Sequence, residues 1–146
     1  MGLLLLGYSC VSTTNDVSIS EEKLEKTLEE LASKALANAK VLPLDSTQIP
    51  RTVDQDGRFR GSVSRDWTSG FYPGTLWALY RHSGKEELMT AAQNWTAFQE
   101  KEKWDTHTHD LGFKIFCSFG EGLKVEQNEA YKDVIVQASK TLIKRY

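Results

Sequence analysis

The sequence predicts an all-α protein built from antiparallel helix hairpins. Three observations carry this. Apolar residues recur at steps of three and four along most of the chain. No segment shows the convincing two-residue alternation that a half-buried strand needs. The links between neighbouring helical stretches are short, which makes the neighbours antiparallel pairs. At 146 residues, 40% apolar and 26% charged, the chain has the composition of a soluble globular protein, with room for about one domain and a real core. A formal net charge of -2 and the lack of any basic run argue against nucleic acid as a partner.

The elements follow in order. Ser18 or Ser20 caps the first helix, and Glu21 and Glu22 stand where the macrodipole favours anions. Leu24, Leu28, Leu31 and Ala35 then form one apolar stripe on a helix of about twenty residues. Residues 43–66 contain Pro43, Pro50, Asp56-Gly57 and Gly61 and few apolar side chains, so they read as a long loop with turn chemistry. Asp54 and Asp56-Gly57 lack the later ligands of a calcium loop and are assigned to a turn. The second helix starts near Pro73, exposes Leu76, Trp77, Leu79 and Tyr80 to the core, and stops at Gly84. The third covers about residues 85–102, with Leu88, Ala91, Ala92, Trp95 and Phe98 on one face. Residues 103–110 are polar and poor in helix formers. Phe113, Phe116 and Cys117 then indicate a short helix broken near Gly120 and Gly122, with Cys117 as a small buried hydrophobe. The last helix carries Tyr131, Val134, Ile135, Ala138 and Leu142 and runs uncapped to Tyr146, the pattern of a chain cut short. Phe71, Tyr72, Trp77 and Tyr80 are assigned to the core.

The N-terminus, MGLLLLGYSC, holds an apolar block far shorter than the ~20 residues a spanning helix needs. With small Ser9 before Cys10, it resembles a bacterial lipoprotein signal. The resemblance implies a signal remnant at 1–10, lipidation at Cys10, a polar tether at 11–18 and a folded part at 19–146. It also implies a periplasmic or cell-envelope location, with a membrane tether through the lipid.

The densest polar cluster is WDTHTHDLGF, residues 104–113. His107 and His109 are two apart and would not share a helix face. The third histidine, His82, falls in a helix tail, so a zinc set of three or four ligands is not assembled. No metal and no cofactor are expected. Asp105, Thr106 and Thr108 are read as caps for the helix that begins at Leu111.

Residues 66–80, DWTSGFYPGTLWALY, precede residues 109–113, HDLGF, with Trp67 and Asp110 43 positions apart. Both segments, in this order and at this spacing, resemble the unsaturated glucuronyl hydrolases of glycoside hydrolase family 88. The match covers roughly residues 50–146. It implies an (α/α)6 toroid of which this chain supplies the N-terminal portion. It implies substrates that are unsaturated uronic-acid oligosaccharides, the products of polysaccharide lyases. It implies two essential aspartates, Asp110 matching the first and the second lying beyond Tyr146, so that this stretch alone would be inactive. On the same basis Trp67 is the candidate sugar-stacking platform, and His109 a donor to the uronate or a hydroxyl. Arg65 is a candidate partner for the uronate, with a surface ion pair as its other reading. Two alternatives stand beside this one: an unsaturated rhamnogalacturonyl hydrolase on the same toroid, and a non-catalytic helical module that binds glycan or a partner protein.

Overall fold

The structure is a computed structural model and describes residues 19–145. The signal remnant, the tether and Cys10 lie outside the described residues. The first helix, α1 (Glu21–Val41), is capped by Ser20, whose hydroxyl accepts from the Lys23 amide at 3.3 Å. Its buried side differs from the expected stripe. Ala32 is fully buried and Leu28, Ala35 and Leu36 are partly so, while Leu24 and Leu31 stay about half exposed. Ala32, with Ala35 and Leu36 beside it, joins the core that Leu76, Trp77, Leu88 and Trp95 form.

Two short strands correct the expectation of an unbroken loop. β1 (Ile49–Val53) and β2 (Phe59–Ser62) pair antiparallel, with an irregularity between Pro50 and Thr52. Only the root of the hairpin is buried, at Ile49 and Ser62. The rest is arginine-rich, so no hydrophobic alternation marks it. Asp54 organises it instead. Its carboxylate accepts from the amides of Asp56 and Arg58 at 3.1 and 2.8 Å and from the Arg60 guanidinium at 2.8 and 3.0 Å. Gly57 closes the turn at φ 75°, a left-handed conformation that glycine adopts without steric cost.

α2 (Phe71–Ser83) begins two residues before Pro73 and ends at Gly84, whose amide returns to the Tyr80 carbonyl at 2.7 Å. α3 (Glu86–Ala97) packs on it through Leu88, Ala92 and Trp95. The helix expected to reach residue 102 stops at Ala97 and tightens into a 3-10 turn, Glu100–Trp104. α4 (Leu111–Ile115) runs into a π-helical turn, Phe116–Gly120, and then α5 (Glu121–Leu123). α6 (Glu129–Ile143) is capped by Asn128. Trp77 is fully buried, as expected, and donates its indole N–H to the Thr96 hydroxyl at 2.9 Å. Tyr80 packs at the edge of the same core. Cys117 is only half buried, on the flank of the π-turn, rather than a core residue; burial and the Glu121 carboxylate push its thiol pKa up.

Candidate active site

Two glycines fix the site's foundations. A Cβ on Gly70 would lie 2.2 Å from the Phe113 carbonyl oxygen and 2.5 Å from that of Lys114. A Cβ on Gly74 would lie 2.2 Å from the Cys117 carbonyl oxygen. Both distances are well inside contact, so the start of α2 can touch the backbone of α4 and the π-turn only because these positions lack side chains. Gly70 and Gly74 are one helical turn apart and present the same side of α2 to that contact.

This approach brings the residues flanking the glycines together at the surface. Trp67, Phe71 and Phe113 form a triangle with every pair of ring centroids 5.8 Å apart. Trp67 meets Phe71 edge to face. The three residues remain 46%, 39% and 46% exposed, a concentration of aromatic surface left to solvent. Phe71, assigned to the core from sequence, therefore belongs to this exposed face: the Gly70 contact turns it outward with Trp67.

Asp110 stands at the N-cap position of α4, one turn before Phe113, yet its side chain caps nothing. Its backbone amide donates to the Thr108 hydroxyl at 2.9 Å, and that hydroxyl lies 3.3 Å from its carboxylate. The largely exposed His109 ring places Nε2 3.3 Å from the Asp110 carboxylate. His107 turns elsewhere, with Nδ1 3.3 Å from Asp105. Among the described residues no group of three or more His, Cys, Asp or Glu side chains could hold a metal ion. Thr106 and Thr108 do not cap α4, and neither does Asp105.

Asp105 instead joins a buried charged cluster that sequence reasoning missed. Lys114, fully buried on α4, reaches Asp105 at 2.7 Å, Glu102 at 3.2 Å and the Arg65 carbonyl at 3.4 Å. Burial alone would raise the Asp105 carboxyl, but hydrogen bonds from Lys114 and the His107 amide outweigh it and hold the pKa at about 2. Arg65 lies over the rim, with Nε 3.8 Å from Asp105. Its guanidinium remains largely exposed beside that ion-pair contact. A charged residue on a short helix ordinarily signals a solvated face, so nothing in the sequence singled out Lys114. The exposed phenylalanines did leave a trace: Phe71 and Phe113 each sit inside one of the two segments that carry the resemblance.

The described residues are mostly helical, as the N-terminal portion of an (α/α)6 toroid expected from the sequence requires. Comparison with known proteins finds relatives of one kind. Over its whole length the chain is 39% identical to an unsaturated glucuronyl hydrolase of Formosa agariphila, covering 37% of that protein. Over 68% of its length it is 28% identical to one of Bacillus sp. strain GL1, covering 27% of it. The crystal structure of an unsaturated glucuronyl hydrolase specific for heparin superposes with a TM-score of 0.80 at 31% identity, over 87% of this chain and 34% of that one. A Streptococcus agalactiae unsaturated glucuronyl hydrolase mutant, complexed with dGlcA-GalNAc6S, superposes with a TM-score of 0.76 at 19% identity, over all of this chain and 40% of that one. No family model matches. By sequence and by fold the chain is a relative of the unsaturated glucuronyl hydrolases, and it spans about a third of the length of the curated relatives it matches.

Proposed function

We propose that the protein hydrolyses unsaturated uronyl oligosaccharides, and that the face built by Trp67, Phe71, Phe113, His109 and Asp110 is its contribution to the substrate cleft. The observation that supports this most is Asp110. A carboxylate at a helix start usually caps it. Here the carboxylate leaves the helix uncapped and stands beside a donor, His109, one turn from an exposed aromatic platform.

The substrate's terminal sugar carries a C4=C5 double bond that is both conjugated to its carboxylate and part of an enol ether. A carboxylic acid gives a proton to C4, and the ring oxygen stabilises the resulting positive charge at C5. Water adds at C5 as a carboxylate takes its proton, so the acid is regenerated. The hemiketal opens and the rest of the saccharide leaves. This differs from the usual pair of carboxyls at the anomeric carbon, and one carboxyl of suitable pKa can serve both proton transfers. Asp110 binds sugar hydroxyls and sets the charge around that group, a second aspartate. Trp67 takes the flat face of the sugar, whose C–H groups suit an indole.

The test is spectroscopic. The full-length protein, given lyase products, should remove the ultraviolet absorbance of the conjugated alkene. Saccharide binding without loss of that absorbance would favour the non-catalytic module instead. The location remains a separate part of the proposal: a cell-envelope protein held by lipid on Cys10, supported by the leucine block and the Ser9-Cys10 pair.

A further inference from the structure

We propose that Lys114 is a positioning residue: from inside the molecule it ties the segment bearing Trp67 to the segment bearing Asp110, and so sets the geometry of the substrate face. The inference rests on the functional reading above for its kinetic consequence, and on the geometry for everything else.

Lys114 is fully buried, although lysine is among the residues least often found so. An ammonium group has three N–H donors, and each has a partner here. One is Asp105, which opens the loop leading to His109 and Asp110. One is Glu102, in the middle of the 3-10 turn. The third is the carbonyl of Arg65, two residues before Trp67. The far side of the cluster closes the same link. The Ser64 hydroxyl donates to Glu102 at 2.7 Å, and the Ser69 hydroxyl lies 2.7 Å from the Ser64 carbonyl and 2.8 Å from the Gln99 side-chain oxygen. Gln99 returns a bond to the Ser69 carbonyl at 3.3 Å. Residues 64–69 are therefore held at both ends, with Trp67 projecting between the anchors.

Stability alone is a poor reason to keep such a cluster. Buried ion pairs often contribute no more than well-packed apolar residues of the same volume. What a three-way charged contact does supply is direction, because each donor must meet its own acceptor. The partners of Lys114 lie on two segments, the stretch that carries Trp67 and the 3-10 turn whose C-cap, Asp105, leads on to His109 and Asp110.

The test uses the full-length protein with Lys114→Met, which keeps most of the side chain's length and removes the charge, and Asp105→Asn, which keeps shape and removes one partner's charge. The emission of Trp67 is isolated in each protein by subtracting that of its Trp67→Phe counterpart. Positioning predicts that Trp67 becomes more accessible to acrylamide in both variants while helical circular dichroism is retained. It also predicts that kcat/KM falls by about 10²-fold in Lys114→Met, mainly through kcat, and less in Asp105→Asn, since displacement by about 1 Å has consequences of that order. A lower Tm with Trp67 quenching and turnover both unchanged would overturn the proposal and leave the cluster a structural feature. If Lys114→Met does not fold, Asp105→Asn decides by the same readouts. If the unmodified protein shows no turnover, the functional reading fails, and the Trp67 measurement alone decides this one.

Discussion

At Asp110 a carboxylate occupies a capping position without capping, which sharpens what its replacement should do. Asparagine caps nearly as well as aspartate, so a structural role would make Asp110→Asn almost silent. A role in the cleft predicts a fall in kcat/KM of on the order of 10²-fold, about 3 kcal/mol of transition-state stabilisation, with Tm unchanged. Near-normal turnover in this variant would remove the central assignment. Trp67→Ala should act mainly on KM, because stacking serves ground and transition states alike. His109→Ala should be damaging and His107→Ala mild, since only the first ring lies against Asp110. A chelator should have no effect; loss of activity with both histidine variants and with chelator would restore a metal reading. Asp105 predicts a pH dependence. Its carboxyl is depressed from 3.8 to about 2. A depressed acid contributes stability that is complete above its unfolded pKa and is lost as the folded group takes up its proton. Asp105 should thus stabilise the fold at neutral pH, and that contribution should be lost between about pH 4 and pH 2. Asp105→Asn should flatten the Tm-against-pH curve in that window.

At the scale of elements, the contact between α2 and the α4–π-turn segment is the joint on which the face depends. Gly74→Ala would force a methyl to 2.2 Å from the Cys117 carbonyl oxygen, a backbone atom that cannot swing aside. The helices must then separate. Overpacking of this kind typically costs about 1–3 kcal/mol, and denaturant unfolding should show a loss of at least that size. Gly112 faces open space, so Gly112→Ala should be stable by comparison. The paired variants separate close approach from the general gain in helix propensity on replacing glycine. Because the Phe71–Phe113 edge of the aromatic triangle spans the same joint, Gly74→Ala should also weaken substrate binding.

For the whole molecule, the described residues hold two contiguous clusters: one from α1, α2 and α3 with the root of the hairpin, and one from α4, the π-turn and α6. Tyr131 packs against both. The aromatic face is supplied from each side of this divide, by Trp67 and Phe71 on one and Phe113 on the other. Since the chain spans about a third of its matched relatives' length, the 146 residues alone are expected to show no turnover, and robust activity from them would overturn the assignment of a second aspartate elsewhere. If Cys10 carries lipid, the exported protein should partition with membranes, and Cys10→Ser should release it to the soluble fraction. Equal partitioning of both forms would dismiss the tether.

Helix positions were legible in the sequence because helices announce themselves locally. The stops at Gly84, the cap at Ser20, the core face of Leu88, Ala92 and Trp95 and the burial of Trp77 all follow from propensity and a repeat of three to four residues. The motif order pointed to Trp67 and Asp110 for the same reason: both lie in short contiguous segments. The hairpin was not legible, since Asp54 and its arginines hold it through hydrogen bonds rather than an alternating apolar face. Nor was the outward turn of Phe71, which is decided by how closely Gly70 lets another segment approach. Lys114 is the extreme case. Its acceptors come from positions 65, 102 and 105, and no local pattern distinguishes a lysine meeting three distant acceptors from one meeting water. Only the tertiary structure, by bringing those acceptors to one buried point, could make a charge there tolerable.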